Sequence, residues 1–127
     1  MSESSYWDLH ERAAEALLHG RFAEAEDAFV LNQERAQAIR RPGLADRAYC
    51  NWAAVRLERN RPEGLRAGLS RILGDSFDSK ARQLAAYTLA NCYRTLGNSR
   101  AAAFYAGMAG RLAAEQKDGP IQASSLN

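Results

Sequence analysis

The chain has 127 residues, 46% of them hydrophobic and 25% charged, with a formal net charge of +2 at neutral pH. That length supplies one domain with a single continuous core, and the composition is ordinary for a soluble globular protein. No apolar run approaches the roughly 20 residues needed to cross a bilayer. Residues Met1 to Ser5 carry neither the basic nor the apolar segment of a secretory leader, so a cytoplasmic protein without membrane contact is expected.

Alanine is abundant and valine occurs only at Val30 and Val55, which points to an all-α chain. Ser5-Tyr6-Trp7-Asp8 has the form of a capping box and predicts a first helix starting near Tyr6. Leu9, Ala13, Ala16 and Leu17 give that helix one apolar face, and Gly20 closes it. Phe22, Ala25, Phe29, Ala36 and Ile39 mark the inner face of a second helix, stopped by Arg40-Arg41-Pro42-Gly43.

A third helix is expected from about Leu44 to Arg59, with Ala48, Trp52 and Val55 inward. Asn60-Arg61-Pro62 reads as a turn, with Pro62 suited to the first position of a fourth helix that buries Leu65, Leu69, Ile72 and Leu73. The loop Gly74 to Ser79 supplies capping oxygens for a fifth helix, which buries Ala85, Leu89, Cys92, Tyr93 and Leu96 and ends at Gly97. A sixth helix runs from Ser99 to about Gln116. Residues 1–117 thus form the domain, and 118–127 are expected to be a flexible tail. Phe22, Phe29, Trp52 and Tyr93 are the expected core aromatics, and Trp7 caps one end. Cys50 and Cys92 stand among apolar helical positions and read as small buried hydrophobes rather than a disulfide.

Six helices with hairpin turns at Gly20, Asn60 and Gly97 make three antiparallel hairpins, each leaving a face that stacking would cover. The hairpins resemble tetratricopeptide repeats over roughly residues 6–117. Ala25 with Phe29, Leu89-Ala90 with Tyr93, the turn residues Gly20 and Gly97, and the small Ala25 and Ala102 carry the likeness. The middle unit keeps Trp52-Ala53 but has Arg56 for the aromatic and Leu65 for the small residue. The resemblance implies a right-handed superhelix of stacked hairpins whose first helices line a concave groove for a protein or peptide partner. By that alignment the groove residues are Arg47, Asn51, Tyr87, Asn91 and Arg94. The Lys, Asn and Arg set with which some members clamp chaperone tails is not reproduced, because His10, Ala14, Leu84 and Thr88 stand at other clamp positions.

No catalytic constellation, metal-ligand spacing or cofactor loop is present in the sequence, so neither an enzyme nor a cofactor-bearing protein is expected. His10 and His19 lie nine positions apart, on opposite sides of one helix, with His10 free to face the groove. Gly64 and Gly68 read as points where the fourth helix approaches a neighbour closely. Charge is uneven: residues 1–39 hold three Arg against eight acidic groups, and residues 40–82 hold nine Arg and one Lys against five. The leading expectation is therefore a non-enzymatic adaptor. The alternatives are nucleic-acid binding through Arg56, Arg59, Arg61, Arg66 and Arg71, and weak self-association through a terminal helix exposing Phe104, Met108 and Leu112.

Overall fold

A computed structural model describes the backbone of residues 2–126 and the side chains of residues 2–117. Among the described residues there are six helices and no strand: α1 (Glu3–Leu18), α2 (Phe22–Ala38), α3 (Pro42–Glu58), α4 (Arg66–Asp75), α5 (Ser79–Thr95) and α6 (Ser99–Leu126). The side chains of the expected tail, 118–127, lie outside the described residues. Helices adjacent in sequence pack together as α1 with α2, α2 with α3, α4 with α5 and α5 with α6, and α3 also lies against α5.

Four of the turns share one device. Gly20, Arg40, Asn60 and Gly97 take left-handed φ values of 75°, 59°, 58° and 82°. After each, a backbone N–H reaches back five residues: Arg21 to Ala16 O at 2.8 Å, Arg41 to Ala36 O at 2.9 Å, Arg61 to Arg56 O at 2.8 Å and Asn98 to Tyr93 O at 2.9 Å. This cap satisfies carbonyls that the last helical turn leaves without partners. Arg40 is the ill-suited member, since a residue with a Cβ is penalised by about 1–2 kcal/mol in that conformation. The chain accepts it because Pro42, two residues on, opens α3, where its missing N–H costs nothing.

Three expected boundaries shift. α1 starts at Glu3, with Ser2 at the N-cap and no side-chain cap bond, so Ser5–Asp8 is interior helix. Tyr6 thereby becomes a core residue, 1% exposed, whose hydroxyl donates to Leu44 O at 3.1 Å. Pro62 does not open α4: Gly64 takes φ 75°, which no right-handed helix admits, and α4 begins only at Arg66. Leu96 is the C-cap of α5 and half exposed rather than buried.

The core is built largely from alanine and medium aliphatics. Ala13, Ala16, Ala25, Phe29 and Val55 join α1, α2 and α3. Cys50, Ala53, Leu65, Leu69, Ile72, Ala85 and Leu89 join α3, α4 and α5, and Ala86, Ala109 and Leu112 join α5 to α6. Small residues let helix axes come close, whereas Gly68 makes room for a side chain: a Cβ there would lie 2.2 Å from the Tyr49 hydroxyl oxygen. Gly64 belongs to a turn.

Of the expected core aromatics, Phe29 is buried; Phe22, Trp52 and Tyr93 are half-buried against it. Tyr93 lies flat on Tyr105 at 5.5 Å, with the Arg66 guanidinium 5.8 Å over its face. Both cysteines are buried free thiols, and burial pushes Cys50 up to about 12 and Cys92 in the same direction, so neither is a ready nucleophile. On α6, Phe104 is exposed, Met108 half-buried and Leu112 buried.

Among the described residues three polar side chains are buried, Glu26, Asn32 and Thr88, and one is wholly enclosed. Asn32 on α2 is fully buried, and neither its amide nitrogen nor its oxygen has a hydrogen-bond partner among the described residues. A buried polar group left so costs about 1–3 kcal/mol. Asn32→Val, closer in size to asparagine than leucine is, should raise stability in urea unfolding by up to about 1–3 kcal/mol; a loss would mean that the amide is satisfied in solution. Tyr6→Phe, which removes the buried hydrogen bond to Leu44 O, should cost about 0.5–1.5 kcal/mol in the same assay.

Candidate functional site

The first turns of α1, α3 and α5 meet along one rim. Asp78 organises it. As N-cap of α5, its Oδ2 accepts the Ala81 N–H at 2.8 Å. Its two oxygens also accept Arg47 Nε at 2.7 Å and Nη2 at 3.0 Å, a two-pronged bond between side chains only 29% and 23% exposed. Ser76 Oγ accepts the Asp78 N–H at 3.2 Å and fixes the loop ahead of it. Gly43 makes the approach possible, because a Cβ there would sit 2.9 Å from the Asp78 Cβ. On the other side of α3, the Tyr6 hydroxyl ties α1 to Leu44 O.

The electrostatics follow from this contact. Burial alone would raise the Asp78 carboxyl, but the Arg47 hydrogen bond, the Ala81 N–H and the Arg47 and Arg41 charges outweigh it and hold the group below the usual carboxylate range. Arg47 is held charged by the same bond.

Below the rim, the face shared by α1, α3 and α5 carries two hollows. The first, of about 180 Å³, lies near the start of the three helices and is walled by Tyr6, Trp7, His10, Asn51 and Leu84, with Arg47 and Lys80 at its edge. The second, of about 440 Å³, lies near their ends and is lined by Leu17, Leu57, Glu58, Tyr87, Asn91, Arg94 and Thr95. All five groove residues expected from the sequence fall on this face, with Arg47 and Asn51 in the first hollow and Tyr87, Asn91 and Arg94 in the second.

They are not equally available. The Arg47 guanidinium is committed to Asp78, and Arg94 donates to Asn91 Oδ1. Tyr87 stands exposed and Asn51 half-buried. Tyr6, Trp7, Lys80 and Leu84 complete the first hollow; Leu84 was expected at a clamp position and Trp7 at one end of the stack, but none of the four among the groove residues. Tyr6 and Trp7 were placed at a helix start, and Lys80 offers no local signal beyond its charge.

His10 does face the groove. Its ring stacks near Tyr6 at 6.4 Å and meets Trp7 edge-on at 5.6 Å, and its buried Nδ1 has no hydrogen-bond partner among the described residues. Burial, reinforced by the Arg47 charge and partly opposed by Glu11, pushes the imidazole below its usual range, so the ring is neutral at pH 7.

The Arg-rich middle is largely spent on internal contacts. Arg56 and Arg59 both pair with the buried Glu26, Arg71 pairs with Asp46 at 3.0 Å, and Arg66 covers Tyr93. Arg56 also lies 5.5 Å over the Trp52 ring. Arg61 alone of the five has none of these contacts among the described residues. No cluster of three or more metal-ligating side chains and no helix long and apolar enough to cross a membrane occurs among the described residues.

No family model, curated protein or solved structure matches the chain.

The His10 shift has a measurable consequence. The unfolded chain takes up the proton first as pH falls, so the stability that neutral His10 contributes is complete above about pH 6.5 and drains away as pH drops toward its lower folded value. The melting temperature should fall between pH 7 and pH 5, and His10→Gln should flatten that slope. An unchanged slope in the variant would place the titration elsewhere. The Asp78 contribution has the same sign but is lost only below about pH 4.

Proposed function

We propose that the protein is a non-enzymatic adaptor of the tetratricopeptide kind, binding an extended segment of another protein along the face of α1, α3 and α5. The observation that carries this reading is the pair of hollows on one face of α1, α3 and α5, each with a half-buried asparagine, Asn51 or Asn91, and a cation in its lining. The packing of α1 on α2, of α5 on α6 and of α3 on α5 supports a stacked arrangement, although α3 and α4 meet through side chains and not as a closely packed hairpin.

The dimensions suit a short segment. Lys80 and Arg94 lie at opposite ends of the face, 14 positions apart on α5, which is about 21 Å at 1.5 Å per residue. An extended chain covers that distance with about six or seven residues. Both ends carry a cation, so acidic residues near the two ends of the segment would complement the face. The Arg94 and Asn91 side chains sit at its surface and offer the hydrogen bonds, while Tyr87 offers flat apolar area.

Nucleic acid is a poorer fit. Three of the five arginines in the middle of the chain are held in pairs with carboxylates, two of them sharing Glu26, which breaks up the continuous basic track that phosphate binding uses.

Affinity capture from the native cell lysate with wild type and the Asn91→Ala/Arg94→Ala double variant tests the reading. Both changes are at or near the surface and should leave stability within about 0.5 kcal/mol each. Partners captured by wild type should be lost or depleted with the folded double variant. Undiminished capture would remove the second hollow from the binding surface.

A further inference from the structure

Phe77 is the most exposed large apolar side chain among the described residues. It is fully exposed, at 105% of the reference value, on the loop between α4 and α5. A solitary surface phenylalanine needs no explanation in general, but this one is held in place. Its neighbour Ser76 accepts the Asp78 N–H, and Asp78 is fixed by Arg47 and Ala81. The ring is therefore presented from a braced loop of the kind that keeps the ordering cost of binding low.

A receptor for such a ring lies close by. The first hollow has a volume of about 180 Å³, comparable with the ~150 Å³ cavity that accommodates benzene in an engineered apolar core. The ring faces open to it are those of Trp7 and His10, already edge to face, with Leu84 beside them, so a further ring finds the offset or perpendicular contacts that aromatic groups prefer. Full exposure of Phe77 means that the chain does not fill this hollow with its own ring.

We propose that two copies of the chain pair about a twofold axis, each inserting Phe77 into the other's first hollow. Donor and receptor adjoin the same helix start: Phe77 precedes α5 by two residues, and Lys80 and Leu84 of α5 line the hollow. A twofold axis near that start makes both insertions together, the self-complementary arrangement of a closed dimer. Charges match in the same sense. Asp75 accompanies Phe77 on the donor side and Lys80 stands at the receptor edge, and neither has an ion-pair partner among the described residues. An interface of one ring and one ion pair in each direction belongs to the small, transient class below about 1,200 Å².

Sedimentation equilibrium of the full chain at protein concentrations up to about 1 mM, the range suited to such weak contacts, tests the pairing. Wild type should show a concentration-dependent dimer, and Phe77→Ala should raise the dissociation constant by at least about tenfold, as loss of an anchoring aromatic does. Asp75→Lys and Lys80→Glu should each weaken self-association by placing like charges together. An equal mixture of these two variants should recover it, because each mixed pair restores both ion pairs. Circular dichroism confirms that each variant is folded. A wild type that stays monomeric would overturn the proposal and leave the hollow to a segment of another protein. A Phe77→Ala chain that dimerises like wild type, or a mixture no more associated than its separate components, would also overturn it.

Discussion

Asp78 is the side chain on which the arrangement of the first helices depends. It caps α5, holds Arg47 of α3 by two hydrogen bonds and packs against Gly43 at the start of α3. A capping carboxylate is an ordinary local device. Here the same two oxygens also bridge 31 positions of sequence, so the cap of α5 is tied directly to α3. The Tyr6 hydroxyl makes the corresponding tie from α1. With their first turns fastened, the three helices have a common face, and the hollows and the position of Phe77 follow from that registration.

The two proposed uses of the face are linked through space. Phe77 insertion occupies the first hollow, while Tyr87, Asn91 and Arg94 line the second. A partner segment that needed both hollows would compete with self-pairing, whereas one confined to the second would not. Mass action then makes the free face most abundant in dilute protein. The rest of the molecule is organised for close packing: alanines at the helix contacts, Gly68 beneath Tyr49, and a mid-chain arginine population absorbed by Glu26, Asp46 and Tyr93.

The helices were legible because their signals are local. Gly20, Asn60 and Gly97 mark turns that all close with a left-handed residue, and apolar spacing assigns most inner faces. Reading fails where a local signal competes with a distant partner. Ser5 to Asp8 has a capping pattern, yet burial of Tyr6 against Leu44 draws the helix start back to Glu3. Pro62 suits a first helical position, yet Gly64 two residues later takes a conformation that postpones α4 to Arg66. The capping role of the loop before α5 was readable, but the Arg47 bond to Asp78 was not, because nothing near either residue announces the other. The residues expected in the groove from the repeat resemblance lie on α3 and α5 and line the two hollows. Their division between two hollows, and the part that Tyr6, Trp7, Lys80 and Leu84 play in the first, depend on the helix packing. Asn32 illustrates the converse: its position in the α2 stripe predicts burial, and its chemistry argues against it.

A double-mutant cycle on Arg47 and Asp78 tests the central constraint most directly. Arg47→Met keeps much of the packing volume and removes the charge, and Asp78→Asn keeps a side-chain oxygen for the Ala81 N–H while losing the carboxylate. Unfolding free energies of the two single variants and the double variant give the coupling. If this pair registers α3 against α5, the coupling is at least about 1 kcal/mol, within the range for contacting charged partners. A coupling near zero, with the two single losses simply adding, would contradict the dependence of the face on this contact.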